Sequence, residues 1–488
     1  MWEQFTAPTI KKRDCMEHVL PLKIIRKDGN IINAENLLTN DREQQILGEP
    51  VLTVVNGKAT IIFDYGKEYY GGLRFITAIR TDNVRCFARV RFGESLSECC
   101  AELGEKNADN HHSIRDLTIE LVHSGDFSCG NTGFRFVRID FLTEDCKIEI
   151  KSIFATTLIY KNDNVIYSYK GEDVKIKQIF DTAKRTVDLC CQNGYVWDGI
   201  KRDRIVWIGD MYPEMIALTS IYGRVDVIEN SLEFVKNTTP VNGWVNRFPT
   251  YSLWYLIILA DYYKETGCID FLRNQIDFVL RIIKQMDECV LIDGRLNYPS
   301  YFVDWPSRGT EDEIMGVRAI NIIACKKTIE MLKVLELDFT VVQNVLERLK
   351  IQEITVKKKK QILALKYFAT GGLAKEEIDF IMKDGIKGFS TFMSYFLLKT
   401  IAECVSSEVA TEMMKEYFGA MIEKGASTFW EDFDIEWTRN ACRIDELPRE
   451  GEKDLHGDSG AFCYVGFRHS LCHGWSSGII KYIKDYCK

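Results

Sequence analysis

Twenty residues, 195–214, hold four carboxylates (Asp198, Asp203, Asp210, Glu214), three cations (Lys201, Arg202, Arg204) and two tryptophans (Trp197, Trp207). That mixture fits a carbohydrate subsite. A tryptophan face stacks on the C–H face of a sugar ring, and carboxylates or a guanidinium fork grip its hydroxyls. An apolar wall beside a carboxyl also raises its pKa by desolvation, as a general acid requires at neutral pH. The competing reading is a structural network in which the charges neutralise one another. The segment follows a helical stretch and contains two glycines, which predicts a loop.

Four further segments lie at junctions between helical stretches: 243–254, 298–309, 425–437 and 468–475. The last three set an aromatic beside a carboxylate or histidine. Together the five segments hold Trp197, Trp207, Trp244, Trp254, Trp305, Trp430, Trp437 and Trp475, eight of the nine tryptophans. Trp254 falls at helical spacing with Tyr251 and Ile258, so it is expected in a core. The candidate sugar ligands are Asp198, Arg202, Arg204, Trp207, Asp210, Trp244, Asp304, Trp305, Trp430, His473 and Trp475. Two carboxylates on separate loops are the minimum for glycoside hydrolysis: one protonates the leaving oxygen, the other activates water or attacks. Asp203 and Glu431, 228 positions apart, are the candidate pair.

His469 and His473 are four apart and would share a helix face, which suits a metal. No HExxH and no second ligand cluster accompany them, so no metal is expected. His111-His112 lies in a polar loop and is expected in solvent. No GxGxxG, P-loop or GxSxG motif occurs, which leaves nucleotide, phosphoryl-transfer and serine-hydrolase chemistry without support.

These loops need a scaffold. Residues 51–55 and 60–64 flank Asn56-Gly57, a hairpin signal. Stretches 73–80, 84–92, 117–122 and 134–141 also read as strands, and the pattern predicts a β-sandwich over 1–163. From 164 to 488 the period becomes helical, with stretches at 174–191, 224–237, 250–266, 271–287, 312–335, 339–349, 357–367, 375–382, 390–404, 407–423 and 470–486. About a dozen helices joined by aromatic-rich loops predict helical hairpins closed into a toroid. The fold class is therefore multidomain, all-β followed by all-α. The quadruple lysine 357–360 reads as a solvated helix face.

Composition bounds the function. A length of 488 residues allows about two to four domains. A net charge of −8 argues against a nucleic-acid partner. The longest apolar run, 253–260, is too short to cross a membrane. Residues 1–5 have no apolar leader, and the 16 cysteines include no CxxC. Free thiols in a reducing cytoplasm are the expectation.

The run Trp197-Asp198-Gly199…Lys201-Arg202-Asp203-Arg204…Trp207-Ile208-Gly209-Asp210 resembles the signature loop of the bacterial α-L-rhamnosidases of glycoside hydrolase family 78. Thr250-Tyr251-Ser252-Leu253-Trp254, Asp304-Trp305-Pro306 and Gly425-Ala426-Ser427-Thr428-Phe429-Trp430-Glu431 follow in that family's order. In the strand half, Asp64-Tyr65-Gly66-Lys67-Glu68, Arg91-Phe92-Gly93-Glu94-Ser95 and Gly133-Phe134-Arg135-Phe136 resemble its N-terminal β-domain. The resemblance implies an (α/α)6 barrel of the six-hairpin type behind β-sandwich modules, an inverting mechanism and no cofactor. It implies Asp203 as general acid, Glu431 as general base, Asp198 and Asp210 as hydroxyl ligands, and Trp207 and Trp305 as walls. The family usually carries Glu at the acid, in an Arg-Asp-Glu-Arg run; here the run is Lys-Arg-Asp-Arg, one methylene shorter. The sequence stops soon after Trp475, so a C-terminal β-sandwich is not expected. The expected substrate is an imported oligosaccharide or glycoside. Two other readings stand beside this one. A uronide-specific glycosidase of the same fold would aim Arg202 and Arg204 together at a carboxylate. A carbohydrate-binding homologue would have lost catalysis.

Overall fold

The computed structural model describes residues 14–39, 52–462 and 464–487. Residues 1–5, the basic run Lys11-Lys12-Arg13 and Val51 lie outside them. The strands are β1 (Asp14–Val19), β2 (Lys23–Ile32), β3 (Thr53–Arg80), β4 (Cys86–Gly93), β5 (Asp116–Leu121), β6 (Asp126–Phe141) and β7 (Lys147–Tyr160). All pair antiparallel, in the order β1-β7-β3-β6-β4-β5 with β2 on β3. The expected sandwich has two separate sheets, whereas these seven strands share one hydrogen-bonded sheet. The 28-residue β3 makes this possible by changing neighbours along its length: 53–56 pairs with β7, 59–64 with β6, and 71–76 lies between both.

Asn56-Gly57 makes no hairpin. Gly57 takes φ +72° inside β3, and the β2–β3 register shifts opposite it, between Gly29 and Asn30. The signal marks a bulge. The alternation in 134–141 does become a strand, with Phe134, Phe136, Val137 and Ile139 buried in β6. A short helix, α1 (Leu96–Cys100), follows β4 and packs on it. Cys86 and Cys146 form a disulfide across 60 positions, which corrects the all-thiol expectation. Sequence spacing could not reveal that the sheet brings their Cα atoms to 6.0 Å.

The second region holds α2 (Val174–Cys190), α3 (Ile208–Tyr222), α4 (Asp226–Thr238), α5 (Pro249–Thr266), α6 (Ile269–Asn274), α7 (Ile276–Cys289) and α8 (Glu311–Val334). It continues with α9 (Thr340–Leu349), α10 (Lys360–Thr370), α11 (Lys375–Met382), α12 (Ser394–Cys404), α13 (Ser407–Glu423) and α14 (Ile479–Tyr486). Helix α3 packs on α5, α5 on α8, α8 on α10, α10 on α12, α12 on α14, and α14 back on α3. The succession closes on itself, with amphipathic helices such as α2, α4, α7 and α9 outside it.

Helix α3 is the element that periodicity misses, since 195–214 reads as loop throughout. Every residue of α3 is buried, so it has no polar stripe and no 3.6-residue signal. Its first N–H is taken by the Asn246 side chain (3.1 Å), which also donates to the Val206 carbonyl (3.0 Å). Asp210 and Glu214 therefore stand on a helix, not a loop.

Candidate active site

The loop 197–207 is shaped by its own carboxylate. Asp198 accepts the backbone N–H of Asp203 (2.8 Å) and of Ile205 (3.1 Å), one on each oxygen. Beneath it, Ile200 joins Tyr70, Leu189, Cys190 and Cys472 in a small apolar cluster between sheet and helices. Beside it, the Lys201 ammonium is buried against Glu94 (2.9 Å) and Glu98 (3.3 Å) and donates to the carbonyls of Phe467 (2.9 Å) and His469 (2.7 Å). Glu94, Glu98 and His456 are the one group among the described residues spaced for a metal. Lys201 already supplies the positive charge between those two carboxylates.

A pocket of about 240 Å³ opens over this loop. Its lining is Asp198, Arg202, Asp203, Trp207, Asp210, Phe248, Tyr251, Phe302, Trp305, Glu431, His473 and Trp475. Nine of the thirteen predicted site residues thus meet at one place, while Arg204, Trp244, Asp304 and Trp430 do not line it. Arg204 turns away to the carbonyls of Asn131 (3.0 Å) and His112. Trp244 stacks edge-on against Tyr298, 5.6 Å between ring centres. Trp430 is a core side chain, 1% exposed and packed on Phe433. Asp304 caps the turn Trp305–Ser307 by accepting the Ser307 N–H (2.9 Å) and lines a narrower adjoining cavity. These four corrections share a cause: a loop has no fixed period, so sequence gives membership of the loop but not the direction of each side chain. Trp254 is buried in α5 as expected.

Glu431 is 5% exposed. Its Oε2 accepts from Arg202 (3.0 Å) and from the Ser470 N–H (3.1 Å). Its carbonyl accepts from Thr391 (2.6 Å) and the Trp475 indole (2.7 Å). Burial pushes its carboxyl up to about 7, against the pull of Arg202. Asp203 is 18% exposed; Oδ2 accepts the Trp207 indole N–H (3.1 Å), and Oδ1 lies 3.2 Å from His112 Nδ1. His112 is exposed, as its polar loop suggests, with Nδ1 turned toward Asp203.

Burial also drives Asp198 and Asp210 well above the usual carboxylate range. His473 Nε2 sits between them, 4.0 Å from Asp198 and 3.9 Å from Asp210, and burial holds its imidazole neutral at ordinary pH. His469 does not join it as a ligand pair. Its Nε2 accepts the Asp432 N–H (2.9 Å), on irregular backbone rather than a helix face.

Phe248, Tyr251, Phe302 and Asp432 are site residues that sequence reasoning missed. Tyr251 stands at helical spacing with the core residue Trp254, and its hydroxyl donates to Asp210 (3.1 Å). Gly209 permits this, because a Cβ there would overlap the Tyr251 ring. Asp432 lines the adjoining cavity, and burial pushes its carboxyl up to about 7. The signal was available in both cases, since Tyr251 and Asp432 lie inside the aromatic-rich segments.

No protein-family model matches the chain, and no curated protein matches it in sequence. Solved structures do. A rhamnosidase from Klebsiella oxytoca with rhamnose bound superposes with a TM-score of 0.75 at 17% identity, covering 97% of this chain and 96% of that one. A family 78 rhamnosidase of Bacillus sp. GL1 gives 0.71 at 15% identity, over 92% of this chain and 48% of that one. An α-L-rhamnosidase of Streptomyces avermitilis complexed with L-rhamnose gives 0.65 at 12%, over 96% and 44%. At these identities the likeness is one of fold, and the fold this chain shares is that of the family 78 α-L-rhamnosidases.

Proposed function

We propose that this protein is a glycoside hydrolase that removes a terminal α-L-rhamnose, or a similar sugar, from oligosaccharides or glycosides by inversion. The observation that carries the proposal is the convergence of Asp203 and Glu431 on one pocket walled by Trp207, Phe248, Tyr251, Phe302, Trp305 and Trp475. Its frame is an (α/α)6 barrel over 164–488, supported by the closed succession of helices, behind a sandwich-like domain over 1–163.

In this reading Asp203 gives its proton to the glycosidic oxygen as the C1–O bond breaks. Glu431 takes a proton from the water that attacks C1 on the opposite face. A base poised near 7 suits that task at neutral pH. Asp198, Asp210, Arg202 and His473 orient the hydroxyls. No cofactor enters. Rhamnose is favoured over a uronide because Arg204 is engaged with backbone carbonyls away from the pocket, so no guanidinium pair faces a substrate carboxylate. Among the described residues, the thiols outside the Cys86–Cys146 bond support a reducing compartment and that bond weighs against it.

Proton NMR of p-nitrophenyl α-L-rhamnoside turnover tests the reading. The first-formed sugar should be β-L-rhamnose. An α product first refutes inversion, and binding without turnover refutes the enzyme reading in favour of a sugar-binding homologue. Turnover of unsaturated uronides but not rhamnosides favours the uronide reading.

A further inference from the structure

The sheet region adds no residue to the pocket lining, yet one of its loops is stitched to the acid loop at three points. Ser113 Oγ donates to the Lys201 carbonyl (3.0 Å) and pairs with Thr132 (2.8 Å). The Arg204 guanidinium donates to the His112 and Asn131 carbonyls. His112 Nδ1 reaches Asp203 Oδ1 at 3.2 Å. His112 and Arg204 both hold left-handed backbone, φ +64° and +62°. Such conformations are uncommon for residues other than glycine and persist where the surroundings over-determine them.

We propose that His112 is a positioning residue for the general acid: it fixes the orientation of the Asp203 carboxyl. This rests on the reading of Asp203 as the acid. Trp207 donates to Oδ2, while the buried Oδ1 accepts no hydrogen bond from a described residue and has His112 Nδ1 as its neighbour at 3.2 Å. The groups that face His112 are Asp203, Arg202, Arg468 and Asp109. Burial holds the imidazole below its ordinary range, so at neutral pH it is an uncharged neighbour of Asp203.

The test uses rhamnosides with leaving groups graded from dinitrophenol to simple alcohols, because protonation of the leaving oxygen matters most for the poorest. His112→Gly removes the ring while keeping the left-handed backbone. His112→Asn tolerates that backbone and sets an amide N–H near the position of Nδ1. His112→Gly should lower kcat about 10²-fold on the poorest leaving group, spare the dinitrophenyl glycoside and leave KM in place. His112→Asn should recover most of the loss. Arg204→Asn, which frees the same loop without touching the ring, should give the same signature at smaller amplitude and serves if His112→Gly does not fold.

A loss uniform across leaving groups, a change confined to KM, or failure of His112→Asn to recover overturns the inference. Asp203→Asn is the control. If it shows no leaving-group dependence, the acid assignment itself falls. If it does and His112→Gly does not, only the role of His112 falls. A wild-type chain inert on every rhamnoside refutes the proposed function and this inference together.

Discussion

The two regions of the molecule divide the work unequally. The helical region supplies every side chain that lines the pocket, and it holds Glu431 with its own groups: Arg202, Ser470, Thr391 and Trp475. The sheet region supplies none of the lining. Its buried polar side chains instead grip the loops that carry the lining. Glu94 and Glu98 hold Lys201, and Glu94 also takes the Leu471 N–H (2.7 Å). Arg135, paired with Asp64, donates to the Gly425 carbonyl (3.1 Å) at the start of the segment that leads to Glu431. The difference teaches that chemistry and placement have been assigned to different parts of the chain. Glu431 is enclosed and held locally, while Asp203 is more exposed and its loop leans on the other region.

The sharpest break in that comparison is Glu431→Gln. Removing the base should cost about 10²–10⁴-fold in kcat while L-rhamnose still binds, as steady-state kinetics and calorimetry would read. Near-wild-type turnover would show that the helical region's enclosed carboxylate is not the base. On the placement side, Lys201→Met leaves Glu94 and Glu98 buried without their cation. Breaking a buried pair costs roughly 3–5 kcal/mol, measurable by urea unfolding. A loss below about 1 kcal/mol, the range of surface pairs, would mean that the sheet is not bracing the loop there.

The pH profile sharpens the contrast. Glu431 must be ionised to accept a proton, and its carboxyl is pushed up to about 7. The rate should therefore rise through pH 7 and be lost as pH falls below it. A flat profile down to pH 5 would contradict the buried base. Smallest are the aromatic changes. Trp305→Ala should raise KM about tenfold, since 1.4 kcal/mol is one decade. Trp244→Ala, outside the pocket, should leave KM within about twofold, well below that decade. Equal effects would erase the distinction between lining and scaffold.

Legibility followed physical periodicity. The amphipathic stretch read at 174–191 is α2, capped by Asp173 on the N–H groups of Lys175 and Ile176. The stretch 375–382 matches α11. Helix α3, buried all round, has no stripe to read and was missed. The stretch 271–287 hides a break at Gln275, a boundary between α6 and α7 that both flanking apolar patterns run across. In the site, Asp203 and Glu431 were found because carboxylates among tryptophans are chemically conspicuous. Arg204, equally conspicuous, points elsewhere, since a left-handed backbone turns it out. His112 is exposed, as its polar neighbours in sequence suggest, but polarity does not say which loop from a distant region lies opposite.

By itself the sequence determined the order of the two regions, the five loops that carry the chemistry and the two carboxylates that anchor a hydrolytic reading. Those follow from local facts: the period of apolar residues, the types gathered in a loop and the absence of other motifs. Only the tertiary structure decided which side chains of each loop face the pocket, that Cys86 meets Cys146, that Lys201 fills a buried acidic pair, and that a histidine from a loop of the sheet region stands beside Asp203. Each of these is a contact between residues far apart in the chain, fixed by backbone direction and close packing, and a linear pattern does not contain either.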